Sequence, residues 1–232
     1  MNSLSEHATV VLVHGAWADG SSWREVISLL QRQRIRVVAA PIPLTSLTDD
    51  IAALRRTLDR TSGPVILAAH AYAGAVISAA LEDRVKSLVY IAALTPDQGE
   101  TVAQMFYRET PHPAAPNLAP DAHGFIWMPE EGFLNAFAHN ASSELAAVLA
   151  AVQRPIALQC INEAAPAPSW RAKPSWFLVA EQDRMISPKT QCFMAKRMSA
   201  NIRSEAVDHT PLLTAPGVVV DVIWEAVRTT LS

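Results

Sequence analysis

Residues 64–81 read Pro64-Val65-Ile66-Leu67-Ala68-Ala69-His70-Ala71-Tyr72-Ala73-Gly74-Ala75-Val76-Ile77-Ser78-Ala79-Ala80-Leu81, and this stretch decides the fold. Val65 to Ala69 is a short continuous apolar run behind a proline, the pattern of a strand buried on both faces. From Gly74 to Leu81 the apolar run continues at helical length. Only a sharp turn fits between the two. The small residues Ala69, Ala73 and Gly74 suit the close packing such a turn needs. In sheets of this kind the strand-to-helix turn presents its apex residue at the edge where ligands bind. Here the apex is Ala71, whose methyl group cannot attack anything.

Working outward, apolar runs alternate with helical ones along most of the chain. Thr9 to His14, Ile35 to Ala40, Val85 to Ala93, Trp176 to Ala180 and Ile202 to Val207 read as further strands. Trp23 to Arg32 carries Trp23, Val26, Ile27 and Leu30 at helical spacing. Ser46 to Asp49 offers a Ser-x-x-Asp start for a helix over Asp50 to Asp59, and Val218 to Leu231 closes the chain as an amphipathic helix. Asp19 reads as a turn acid and Asp49-Asp50 as helix-start acids. Strands alternating with helices predict an α/β fold with a parallel, mostly six-stranded sheet flanked by helices. Right-handed crossovers then bring all strand C-termini to one edge. Between the fourth and fifth strands lie about eighty residues, too many for a loop. Helical patterns over Glu130 to His139 and Ser142 to Val152 make this an inserted helical cap. The expected division is a core of residues 1–95 and 171–232 with a cap over 96–170.

Composition narrows the function classes. The 232 residues carry 19 Lys and Arg against 22 Asp and Glu, a net charge of −3, with no basic run. Nucleic-acid and membrane-surface partners are therefore not expected. No apolar stretch approaches the roughly 20 residues of a membrane span. Met1 to His7 lacks the basic-then-apolar pattern of a signal peptide. The two cysteines, Cys160 and Cys192, suggest no disulfide framework, so a cytoplasmic location is expected. They have no zinc-ligand spacing either, and neither a metal nor an organic cofactor is implied. The expected partner is a small-molecule substrate, and the expected assembly a monomer or homodimer.

Four pieces now stand in order at strand ends: His14-Gly15-Ala16-Trp17, His70-Ala71-Tyr72-Ala73-Gly74, Asp183 in Ala180-Glu181-Gln182-Asp183-Arg184, and His209 in Val207-Asp208-His209-Thr210-Pro211. Together they resemble the α/β-hydrolase superfamily, in particular its small cap-bearing esterases, methylesterases and hydroxynitrile lyases. The resemblance covers nearly the whole chain. It implies an α/β-hydrolase fold and a cofactor-independent carboxylic ester hydrolase. It also implies His209 as general base, Asp183 as the acid that orients it, and the backbone N–H groups of Ala16 and Tyr72 as an oxyanion hole. Family members carry Gly-x-Ser-x-Gly where this chain has Ala69 to Ala73, so the catalytic position is Ala71. Trp17, Trp127, Met128 and Phe133 are candidate pocket residues, with cap core as the alternative for Trp127 and Phe133. His14 and His70 read as structural, bonded to buried backbone.

Three explanations of Ala71 stay open on sequence alone. The alanine stands for a serine removed by experiment; or it is natural in a ligand-binding pseudo-hydrolase; or it is natural in an enzyme of lyase, isomerase or cofactor-free oxygenase type that needs no nucleophile. Ala69 and Ala73 also depart from the family's glycines, which favours a natural alanine. Ser22 and Ser78 are poor substitutes: one sits off the line from His209 to the hole, the other about two helical turns beyond Ala71.

Overall fold

The computed structural model describes residues 8–231; the signal-peptide expectation, made on Met1 to His7, lies outside them. Six parallel strands form one sheet in the order β2-β1-β3-β4-β7-β8. They are β1 (Thr9–Val13), β2 (Arg36–Ala40), β3 (Val65–His70), β4 (Val85–Ile91), β7 (Ser175–Ala180) and β8 (Asn201–Glu205). Every strand named from the sequence is present, within two residues at most ends. β1, β3 and β7 are buried at every position, because helices cover both faces of the sheet. Side chains alternate between two cores. Val11, Val13, Leu67, Tyr90 and Phe177 face one, and Val10, Leu12, Ile66, Val89 and Trp176 the other.

The first core packs under α2 (Leu47–Asp59), α3 (Ala73–Ser78) and α8 (Pro188–Arg197); the second packs under α1 (Arg24–Arg32) and α10 (Pro216–Leu231). The predicted start of α2 is present: Ser46 caps it, accepting from the Asp49 N–H at 2.9 Å. Asp50 corrects the sequence reading. It is a helix-start acid by position, yet its side chain is turned inward and fully buried. The α8 helix is not evident from the sequence, since two of the four residues on its buried face, Thr190 and Gln191, are polar.

The insertion between β4 and β7 contains α4 (Val102–Phe106), α5 (Glu130–Gly132), α6 (Ser143–Val152) and α7 (Leu158–Asn162). It is less purely helical than expected. A two-residue ribbon pairs β5 (Phe125–Ile126) antiparallel to β6 (Ile156–Ala157). The helix predicted over Glu130 to His139 is only one α turn, followed by a π turn over Phe133–Phe137, closed by the Ala138 N–H on the Phe133 carbonyl at 2.7 Å. The chain then reaches α9 (Pro211–Thr214) and α10 beyond β8. Among the described residues no helix is long and apolar enough to cross a membrane.

Candidate active site

The site grows from the C-terminal edge of the sheet, where the backbone is strained in four places. Trp17, Leu44, Ala71 and Ala92, following β1, β2, β3 and β4, have φ of 58°, 62°, 49° and 44°. A non-glycine residue in this region costs on the order of 1–2 kcal/mol. At Ala71 the surroundings hold the strained geometry. The Ala71 carbonyl accepts from Gly74 N–H at 3.1 Å and Leu94 N–H at 2.9 Å, and its own N–H donates to the Ile91 carbonyl at 3.2 Å. Gly74 is required here: a Cβ would lie 2.5 Å from the Leu94 carbonyl oxygen and 2.9 Å from the Ala93 Cβ. The turn is thus a formed elbow with a methyl group at its apex.

His209 and Asp183 meet beside it. His209 Nδ1 donates to Asp183 Oδ2 at 2.8 Å, and both side chains are essentially buried. Asp183 is held by three more donors. Oδ1 accepts the Met185 and Ile186 N–H groups at 2.7 and 2.9 Å, and Oδ2 also accepts Gln191 Nε2 at 2.8 Å. Four donors keep a buried carboxylate satisfied without a cation. Gln191 is itself locked, donating to the Ile186 carbonyl and accepting from the Ala180 N–H, each at 2.9 Å. With Nδ1 committed, Nε2 is the ring nitrogen of His209 left to act on a ligand.

Neighbouring histidines behave as structure. His70 Nε2 donates to the His209 carbonyl at 2.7 Å, and burial holds its pKa well below the ordinary value, so it is neutral. His14 Nδ1 donates to the Gly15 carbonyl at 3.0 Å. Asp208, fully buried, accepts from the Thr210 and Asn140 N–H groups at 3.2 and 3.0 Å and so fixes the turn carrying His209.

Above this edge lies a cavity with about 580 Å³ of empty space, its open mouth included. Ala16, Trp17, Ala71, Tyr72 and His209 form its floor; of the site residues expected from the sequence these five reach it directly, and Asp183, Trp127, Met128 and Phe133 do not. Its walls are apolar: Leu94, Phe106, Leu118, Ile126, Phe137, Ile156, Ile161, Met185 and Ile186, with Tyr107 exposed at the mouth. Apart from His209 Nε2, the polar side-chain atoms within the floor are already engaged. Trp17 Nε1 donates to the Ile126 carbonyl at 3.0 Å, and the Tyr72 hydroxyl to Asp50 Oδ2 at 2.7 Å. The Trp17 N–H is spent on the Arg154 carbonyl, whereas the Ala16 and Tyr72 N–H groups have no such partner among the described loop and turn contacts. No serine, threonine or cysteine lines the cavity among the described residues. Ser22 Oγ is tied to the Asp19 carbonyl at 2.7 Å, and Ser78 Oγ to the Gly74 carbonyl, also at 2.7 Å.

Three expected pocket residues lie elsewhere. Trp127 is 50% exposed and its indole donates to Asp121 at 3.2 Å, because alternation along the ribbon turns Ile126 inward and Trp127 out. Met128 is buried beneath Gly132, where its sulfur would lie 2.8 Å from an added Cβ. Phe133 sits one layer behind the wall, edge-on to Phe137 at 5.3 Å. Phe137, four residues on, takes the wall position instead. The sequence reading also missed Gln191 and Asp50, since nothing local marks a glutamine or aspartate within a helix as buried.

A parallel α/β sheet with a strained turn after its third strand, and a histidine–aspartate pair beyond later strands, defines the hydrolase-type α/β class. Residues 10–222 match the alpha/beta hydrolase family, and the chain belongs to that family. Comparison with curated protein sequences gives no match. Among solved structures, tomato methylketone synthase I, as a variant complexed with β-ketoheptanoate, is similar at 16% identity and a TM-score of 0.83, covering 96% of this chain and 98% of that one. Polyneuridine aldehyde esterase is similar at 15% identity and TM-score 0.82, covering 94% and 98%. A pyrethroid hydrolase from Sphingobium faniae is similar at 19% identity and TM-score 0.78, covering 95% and 97%. At these identities the likeness is one of fold.

Proposed function

We propose that this chain acts on a small ester, lactone or related carbonyl compound with an apolar body, by general-base proton transfer and without an acyl-enzyme intermediate. His209 Nε2 is the base, Asp183 holds its ring in the tautomer with the proton on Nδ1, and the Ala16 and Tyr72 N–H groups receive the developing oxyanion. Two proton routes fit this machinery. In one, Nε2 takes a proton from water as the water oxygen bonds to the carbonyl carbon; the tetrahedral anion then expels the alkoxide, which takes the proton back from His209. In the other, Nε2 takes a proton from the carbon next to the carbonyl, and the enolate oxygen rests in the hole until carbon is reprotonated. Neither route needs an oxygen on residue 71.

The observation that carries this reading is the strained elbow kept without a nucleophile. Ala71 remains at φ 49°, in a conformation serine would occupy to attack, although alanine gains nothing from it. What the strain still supplies is the orientation of the following N–H, that of Tyr72, which is the anion-binding half of the family's chemistry. The β-ketoheptanoate described with methylketone synthase I supports including β-keto compounds, whose central carbon is acidic, among the candidates.

The test is turnover on a panel of short p-nitrophenyl esters, lactones and β-keto acids, with the native chain, His209→Ala and Ala71→Ser side by side. Native turnover on at least one class is expected, falling about 10²–10⁴-fold in His209→Ala. Ala71→Ser is expected to add an acyl-enzyme burst on the esters. Native turnover that survives loss of His209 sinks the reading. Ordered ligand without turnover across the panel would favour a binding protein.

A further inference from the structure

Phe137 stands where two hollows meet. On one side is the main cavity; on the other is a small, narrow hollow, about 210 Å³ when the open solvent at its mouth is counted, lined by Ala18, Ser22, His70, Leu149, Thr210 and Leu213 among others. Phe137 lines both. Its ring is wedged among Trp17 at 6.2 Å, His70 at 6.3 Å, Phe133 at 5.3 Å and His209 at 5.3 Å between centroids. The π turn that ends on it shifts its register from that of an α-helix, and its carbonyl accepts the Thr210 hydroxyl at 3.0 Å. Such single π turns redirect one side chain at the expense of regular bonding.

We propose that Phe137 is the specificity-determining partition of the site, and that the hollow behind it is a latent subsite for an unbranched alkyl tail. The hollow presents essentially no polar surface, so the matching chemistry is hydrocarbon. The ring caps the depth to which a ligand's apolar body can pass the His209 side of the cavity. A smaller residue at 137 joins the two spaces and lets the tail continue. This rests on the proposed function only for the carbonyl end of the ligand; the partition itself is a matter of shape.

The experiment measures binding, not turnover, by calorimetry with two homologous series: 2-alkanones and n-alkylbenzenes. Each methylene that finds space adds about fourfold in affinity. In the native chain both series should gain until one chain length and then stop. In Phe137→Ala the limit should move out by two carbons or more in both series, and in Phe137→Leu by less. Filling the hollow in the double variant Phe137→Ala, Leu213→Phe should restore the native limit. An unchanged limit in both single variants, or an alkylbenzene series that does not bind at all, overturns the proposal. Alkylbenzenes that bind and shift while alkanones do no better leave the partition standing and count against the carbonyl site. Phe137→Leu, which keeps an apolar side chain of intermediate size, answers the question if the alanine variant does not fold.

Discussion

The sheet edge and the inserted segment contribute opposite things to one cavity. From the edge come the residues to which the proposed function gives a chemical role: Ala16, Tyr72, His209 and, behind it, Asp183. From the insertion come walls almost without polarity: Phe106, Leu118, Ile126, Phe137, Ile156 and Ile161. The edge is held by parallel strands buried on both faces; the insertion is built of helices of three to ten residues and a ribbon of two-residue strands. Rigid backbone therefore carries groups that must be placed to tenths of an ångström, and short elements carry surfaces that need only fit. Changes at the edge should then affect the chemical step, and changes in the insertion should affect the choice and affinity of ligand.

The sharpest break is Asp183→Asn. An amide in place of Oδ2 leaves the packing intact but opposes the tautomer that frees Nε2 as base. With the enzyme assay above, kcat is expected to fall about 10²–10⁴-fold with little change in KM. A tenfold loss in KM with kcat preserved would move Asp183 to the binding side and erase the contrast.

Asp50 joins the two regions. Its carboxylate takes the Leu44 N–H at 2.7 Å, the Tyr72 hydroxyl at 2.7 Å and the thiol of Cys160, which belongs to the insertion, at 3.7 Å. Burial raises its pKa to about 6 despite these donors. The folded pKa lies above the unfolded one, so the folded state binds this proton more tightly. Its stabilising contribution is complete below about pH 4 and is lost as pH rises through about 6. Asp50→Asn removes the titration. Urea unfolding of both proteins at pH 7.5 and 4.5 should show the native chain gaining about 2 kcal/mol on the variant at the lower pH. A constant difference across that range would mean that Asp50 is charged at both.

Gln191→Leu tests how far the edge depends on its support. It removes one of two donors on Asp183 Oδ2 and leaves the Ala180 N–H and Ile186 carbonyl without their side-chain partner. The expected loss is about tenfold in kcat, with a His209 Nδ1 proton resonance moved downfield as Asp183 Oδ2 turns wholly to it. Stability loss alone, with the resonance unmoved, would reduce Gln191 to a packing residue.

The same contrast explains what was legible beforehand. β1, β3, β4 and β7 announce themselves because a strand buried on both faces is apolar at nearly every position. Asp183 follows from where β7 ends, whereas His209 lies beyond β8, an edge strand whose pattern is weaker. Ala71 was recognisable as the apex by the strand before it and the small residues around it, although the serine was missing. The insertion obeys no such period. Phe133 and Phe137 differ by four residues, an α-helical spacing that would put both on one face; the π turn breaks it and gives the wall to Phe137. Trp127 looked like a pocket aromatic, and one step of ribbon alternation turned it to solvent. Asp50 and Gln191 are polar residues whose burial depends on partners 22 and 8 positions away. Local pattern carries no sign of such contacts.

The mildest change probes the insertion at the cavity mouth. Tyr107 lines the opening but is 55% exposed, and its contact with a ligand does not depend on charge developing at the carbonyl. An interaction of that kind binds ground state and transition state alike, so removing it should raise KM and spare kcat. For Tyr107→Ala a rise of about two- to fivefold in KM is expected, since a half-exposed ring gives up only part of its buried area. The measurement is a full saturation curve for the best ligand of the panel. A fall in kcat with KM unchanged would place Tyr107 against the reacting atoms and make the insertion a contributor to the chemistry as well as to the fit.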